Sequence, residues 1–155
     1  LHNRKHSFPT RRSSDLGKTM PLHEVEFELK AGDAECLMQQ ASKLAEQVPV
    51  FLNLVSKAEQ GYYLAGIYQP EPKTPEEPLS VTAFLHLLSV SWLTEGQLQL
   101  PESVLVNIAN EAEQGALSQL WRQASQLLQT GITTEKLIDQ LPEFGQLQLA
   151  LAARS

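Results

Sequence analysis

Two histidines, His23 and His86, lie beyond the basic N-terminal stretch, and neither has a second metal-ligating side chain at the spacing a zinc site requires. His86 falls within an apolar helical pattern, where a satisfied or snorkelling imidazole is the expected state. Glu111 and Glu113 are two positions apart on a predicted helix, so they point to different faces and cannot share a proton. They read as solvated surface charges. No Ser/His/Asp set and no nucleophile elbow is visible. Gly17-Lys18-Thr19 resembles the end of a phosphate-binding loop. That loop needs a glycine five positions earlier, and Arg12 stands there. The lone cysteine, Cys36, excludes an intrachain disulfide and suits a reducing compartment. It reads as a small core residue near a helix start, with a reactive thiol as the alternative. No catalytic, cofactor-binding or metal residue is therefore assigned, and the chain is expected to work without catalysis or cofactors.

The charge is uneven. Residues 1–16 carry four basic side chains (Arg4, Lys5, Arg11, Arg12) against Asp15. The remaining residues hold eight basic and seventeen acidic ones. An acidic body repels nucleic acid and anionic lipid and suits a basic protein partner. The longest apolar stretch, Val81 to Leu93, is too short to span a bilayer and is broken by Thr82, His86, Ser89 and Ser91. The basic N-terminus is not followed by an apolar stretch, so no secretory signal is expected.

His6 to Leu16 reads HSFPTRRSSDL, which at all eleven positions resembles one translated reading frame of a DNA-sequencing adapter. Residues 1–16 are therefore expected to be foreign and disordered, with the natural chain starting near Gly17, truncated upstream, or at Met20. The segment's kinase-like Arg11-Arg12-Ser13-Ser14 and its basic cluster carry no weight for the same reason.

The elements that would position any functional surface follow from periodicity. The expected fold class is α+β, a small β-α-β-β unit (22–69) followed by an all-α antiparallel helical bundle (79–155). In His23 to Lys30, Val25, Phe27 and Leu29 alternate with Glu24, Glu26, Glu28 and Lys30, the pattern of a half-buried strand with a charged outer face. Asp33 can cap a helix whose apolar stripe is Leu37, Ala41, Leu44, Ala45 and Val48, closed by Pro49. Val50 to Ser56 and Tyr62 to Tyr68 are rich in β-branched and aromatic residues and read as a hairpin, with a helix over Val50 to Ala58 as the alternative. Pro70 to Pro78, PEPKTPEEP, reads as a stiff, solvated linker and a unit boundary.

From Leu79 onward the pattern is helical. Ser80 can cap a first helix, with Leu79 stapled on Phe84 and an inner stripe of Val81, Phe84, Leu85, Leu88 and Trp92. Gly96 should supply its left-handed stop. Pro101 suits the first position of a second helix bearing Val104, Leu105, Ile108, Ala109 and Ala112, followed by Gly115. A third presents Leu117, Leu120, Trp121, Ala124, Leu127 and Leu128 and stops at Gly131. Thr133 caps a short fourth with Leu137, Ile138 and Leu141, stapled by Ile132 and ended by Pro142. A fifth begins near Phe144. Short connections should make neighbours antiparallel. Trp92 and Trp121 read as core.

Two surfaces stand out as partner contacts. Leu87, Val90 and Leu93 lie beyond the first helix's inner stripe, which suggests docking or self-association through Leu87 and Val90. The third helix's outer face (Ser118, Gln119, Arg122, Gln123, Gln126, Gln129) is polar and almost uncharged, offering Arg122 and Gln126 to another protein.

Ala83 to Ala150 resembles the cytoplasmic domain of the type II secretion F family, the inner-membrane platform protein of secretion and type IV pilus machines. The residues that carry the resemblance are Leu93-Thr94-Glu95-Gly96, Leu100-Pro101-Glu102-Ser103, Ile108 to Ala112, Leu128-Gln129-Thr130-Gly131, Thr133 to Ile138, and Leu141-Pro142-Glu143-Phe144. The chain departs from that pattern at Gly145, where the family has proline, and in lacking the family's membrane-spanning helices. The resemblance implies a helical module at the cytoplasmic face of a bacterial inner membrane, contacting a motor ATPase and neighbouring membrane components. It would then be a fragment ending before a membrane segment. The alternative is a soluble cytoplasmic adaptor or regulatory protein unrelated to secretion, with residues 22–69 carrying specificity.

Overall fold

A computed structural model describes residues 23–114 and 117–155. The adapter-like segment, Gly17-Lys18-Thr19 and Gly115 lie outside the described residues. Seven helices are described: α1 (Glu35–Gln47), α2 (Lys57–Leu64), α3 (Val81–Thr94), α4 (Glu102–Gln114), α5 (Ser118–Thr130), α6 (Thr134–Gln140) and α7 (Phe144–Ala152). Two short strands, β1 (Gln97–Leu98) and β2 (Ile132–Thr133), pair antiparallel, Gln97 opposite Thr133 and Leu98 opposite Ile132. None of the helices among the described residues is long and apolar enough to cross a membrane.

From α3 to α7 the punctuation works largely as the sequence implies. The Ser80 hydroxyl accepts the Ala83 N–H at 3.2 Å, and that of Thr133 accepts the Lys136 N–H at 3.3 Å. Pro101 directly precedes α4, and Gly131 takes a positive φ of 90° after α5. Phe84, Leu88, Ile108, Ala124, Leu128, Leu137, Phe144 and Leu147 are fully enclosed in one core. Trp121 joins it edge-on to Phe84, ring centroids 6.0 Å apart. α7 packs against α1, α3, α4, α5 and α6. Its Phe144, Gly145, Leu147, Gln148, Leu149 and Leu151 are all buried, as a centrally placed helix requires.

One stop differs. The left-handed residue ending α3 is Glu95 (φ 55°), not Gly96. Gly96 serves close approach instead: a Cβ there would run into the ring of Pro72.

Residues 23–69 do not form the expected β-α-β-β unit, and the molecule is predominantly helical rather than α+β. Residues 23–30 belong to no strand. The Asp33 carboxylate accepts the Glu35 N–H at 3.0 Å, so the predicted start of α1 is real. Its Cys36 is exposed rather than part of the core. The expected hairpin is replaced by α2 and an extended stretch before it. Two local devices override the β propensity of Tyr62 and Tyr63. The first is a capping box: the Ser56 hydroxyl accepts the Glu59 N–H at 3.2 Å, while the Glu59 carboxylate accepts the Ser56 N–H at 2.8 Å. The second closes the helix. Gly66 at φ 73° lets its own N–H reach Tyr63 O (3.0 Å) and the Ile67 N–H reach Tyr62 O (2.9 Å).

Among the described residues no strand hydrogen-bonds to the stretch 50–55; side chains of the helical body take that place. The buried Gln148 amide donates to Leu52 O (3.2 Å) and accepts the Leu52 N–H (2.9 Å). The Ser89 hydroxyl accepts the Leu54 N–H and donates to Leu85 O, both at 2.9 Å. Gln146 reaches Ala45 O at 3.1 Å. Gly145 lets the backbone of Val50 lie against α7, since a Cβ there would overlap the Val50 carbonyl. The proline-rich 70–78 segment has neither helix nor strand and continues along the body, with the Thr74 hydroxyl on Gln99 O at 3.1 Å.

Gln148→Leu fills the same space but leaves both polar groups of Leu52 without their partner. We expect a loss of about 2–4 kcal/mol in urea denaturation, with cleavage around residues 48–56 becoming faster in limited proteolysis. Gly145→Ala should cost about 1–3 kcal/mol through overpacking and expose the same site. An unchanged urea midpoint in both variants would contradict the proposed anchoring.

Candidate functional site

The two expected contact surfaces fall in different surroundings. Val90 is buried. It forms a second apolar cluster with Val55 and Leu93, lined by Tyr63, Tyr68 and half-buried Trp92. Residues of the 50–68 arm thus cover much of the α3 face that the sequence presents as surplus. Phe51 lies against Trp92, centroids 6.2 Å apart. Leu87 remains half-buried and packs on the main core. It also lines an open groove of about 540 Å³ between α3 and the segment 68–75, with Tyr68, Pro70, Pro75, Ala83 and Val90. His86, Glu71 and Lys73 supply its polar groups. The proline-rich segment, which reads as a solvated linker, forms one groove wall. The sequence offers no signal for this, because the wall exists only once Pro72 seats against Gly96.

Arg122 and Gln126 are one turn apart on α5, and both are exposed. The inner side of α5 is Trp121, Ala124 and Leu128, so the outer face is fixed in direction by the core beneath it. Ser118, Gln119, Gln123 and Gln129 share that exposure. Gln129 also lines a second depression with Thr74, Gln99, Pro101 and Glu102. The geometry brings Leu87 to Val90, and Arg122 to Gln126; the main core lies between α3 and α5.

Polar chemistry elsewhere is structural. Glu111 reaches Arg154 Nε at 3.1 Å, and Arg154 Nη2 reaches Gln114 at 3.0 Å, tying the chain end to α4. The Ser91 hydroxyl donates to Gly96 O (2.6 Å) and accepts the Thr134 N–H (3.2 Å), while the Thr134 hydroxyl donates to Leu88 O (2.9 Å). Among the described residues no group of three or more His, Cys, Asp or Glu side chains is placed to hold a metal.

At the start of α2, Glu59 and Lys57 are both shifted. Hydrogen bonds from the Ser56 N–H and hydroxyl hold the Glu59 carboxyl below its usual range, with a smaller contribution from nearby His86. Contacts with Glu24 and Glu26 raise the Lys57 ammonium above its ordinary value. The linkage signs are opposite. The Glu59 contribution is present above the unfolded carboxylate pKa and is lost as pH falls through the lower folded value. The Lys57 contribution is present below the unfolded ammonium pKa and is lost as pH rises through the folded one. Both groups are solvent-facing, so the effects are small. Glu59→Gln should flatten the acid limb of a stability–pH curve without moving the alkaline limb; an acid limb identical to the parent's would contradict the capping-box account.

Compared with models of protein families, with curated proteins and with solved structures, the chain matches none of them.

Proposed function

We propose that the chain is a non-catalytic protein-interaction scaffold whose partner-facing surface is the outer side of α5. The observation that supports this is the exposed run Ser118, Gln119, Arg122, Gln123, Gln126 and Gln129 on a helix whose other side is locked into the core. Such a face is rigid in position and rich in adaptable hydrogen-bonding groups. It carries one cation, so it imposes little charge repulsion on a partner. Arg122 is the side chain with the most to offer, through its fixed five-donor fork.

The identity of the partner rests on the sequence resemblance alone. It points to a cytoplasmic module of a secretion or pilus platform at the bacterial inner membrane, with a motor ATPase and neighbouring membrane proteins as partners. Of the residues that carry the resemblance, Leu93-Thr94-Glu95-Gly96, Leu100-Pro101 and Leu141-Pro142-Glu143-Phe144 stand at helix ends, while Ile108 to Ala112 lies within α4. Gly145, where the resemblance departs, is the position on which Val50 rests.

The test is a titration of the purified chain against a purified secretion motor ATPase. Arg122→Glu combined with Gln126→Lys should weaken binding about tenfold or more, the range of a modest hot spot, while circular dichroism stays unchanged. A Glu113→Gln variant on α4 should bind as the parent does. Parent-like affinity in the α5 double variant would reject the surface, and absence of any binding would reject the secretion assignment.

A further inference from the structure

The contacts that seat residues 35–68 on the helical body join parts of the chain far apart in sequence, and the groups that make them read backbone. The Gln148 amide takes both polar groups of Leu52, and the Ser89 hydroxyl takes the Leu54 N–H. Just beyond, Val55 closes an apolar cluster with Val90 and Leu93 that is separate from the main core. Phe51 lies against Trp92, and Gln146 holds Ala45 O on α1. Main-chain hydrogen bonds beside apolar pockets are how a protein surface takes up an extended segment. The arm itself is organised by its own residues. Ser56 and Glu59 cap α2, Gly66 closes it, and Lys57 pairs with Glu24 and Glu26. Its connection to the body, residues 70–78, carries four prolines and adopts neither helix nor strand.

We propose that the seat on α3 and α7 is a docking site for an extended segment, which the chain fills with its own arm, and that residues 35–68 of a second copy fill it in trans. Fit selects the occupant. The second copy's arm carries the sequence whose hydrogen bonds and apolar contacts with this seat are already in place, so each of them is kept on exchange. Exchange of an identical element between two copies gives a closed dimer at little cost in contacts. The connection decides between monomer and dimer. The 70–78 tether holds the chain's own arm at an effective concentration of about millimolar, so the intramolecular seat wins in dilute solution. A tether too short to reach reverses the choice, because its effective concentration falls towards zero while the seat of another copy stays accessible. This docking is independent of whatever binds α5.

Deleting Lys73 to Glu77 removes about 15 Å of reach and leaves every residue of arm and seat in place. In sedimentation over a concentration series the parent should stay monomeric in the micromolar range, where the shortened chain should dimerise. Residues 48–56 should resist limited proteolysis in that dimer as they do in the parent. Gln148→Leu, which leaves the parent monomeric, should raise the Kd of the shortened-chain dimer about tenfold or more. Ser89→Ala, a smaller change in the same seat, should raise it about fivefold, and it keeps the test readable if Gln148→Leu loses its helical circular dichroism. A shortened chain that stays monomeric at its highest soluble concentration overturns the proposal. So does a dimer in which 48–56 is cleaved faster than in the parent, or one indifferent to both substitutions.

Discussion

A glutamine side chain sealed inside the molecule holds the N-terminal arm to the helical body. Gln148 is fully buried on α7 and satisfies both polar groups of Leu52. An amide can do this because it carries a donor and an acceptor at one end, the same pair a neighbouring strand would present. Burying such a group without partners costs on the order of 1–3 kcal/mol. The arrangement therefore works only when arm and body are seated together. Ser89 repeats the device in the middle of α3, taking the Leu54 N–H while donating its own proton to Leu85 O.

This contact decides which surfaces remain free. Once 50–55 lies along α3 and α7, Val55 closes over Val90 and Leu93, and Tyr63 and Tyr68 complete the cover. The surplus apolar side of α3 becomes interior, leaving Leu87 at the edge of a groove. The body's other broad face, α5, has no arm over Arg122 or Gln126 and stays open. The proline-rich segment then runs past Gly96, whose missing side chain admits Pro72.

The C-terminal half was legible because its signals are local. Ser80 and Thr133 cap helices they immediately precede, and Gly131 ends α5 within its own turn. The apolar stripes of α4 and α5 have one side each and admit one orientation. Ser56 and Glu59 form an equally local signal, overshadowed by the aromatic character of the residues after them. The candidate site was only half legible. Arg122 and Gln126 follow from a helical wheel, whereas the fate of Val90 depends on Val55, Tyr63 and Tyr68, which are 22 to 35 residues away in sequence.

The sequence by itself determined the helices from α3 to α7, the caps at Ser80 and Thr133 and the inner stripes of α4 and α5, since each rests on hydrogen bonds and spacings within a few residues. Tertiary structure alone decided whether residues 50–55 would find a strand or side chains to satisfy their backbone. It also decided that Glu24 and Glu26 would meet Lys57 at the start of α2. The physical reason is the same in both cases. An extended segment leaves its peptide groups unsatisfied by neighbours in sequence. Its conformation is therefore set by whatever partner the folded chain brings alongside, here Gln148, Ser89 and Lys57.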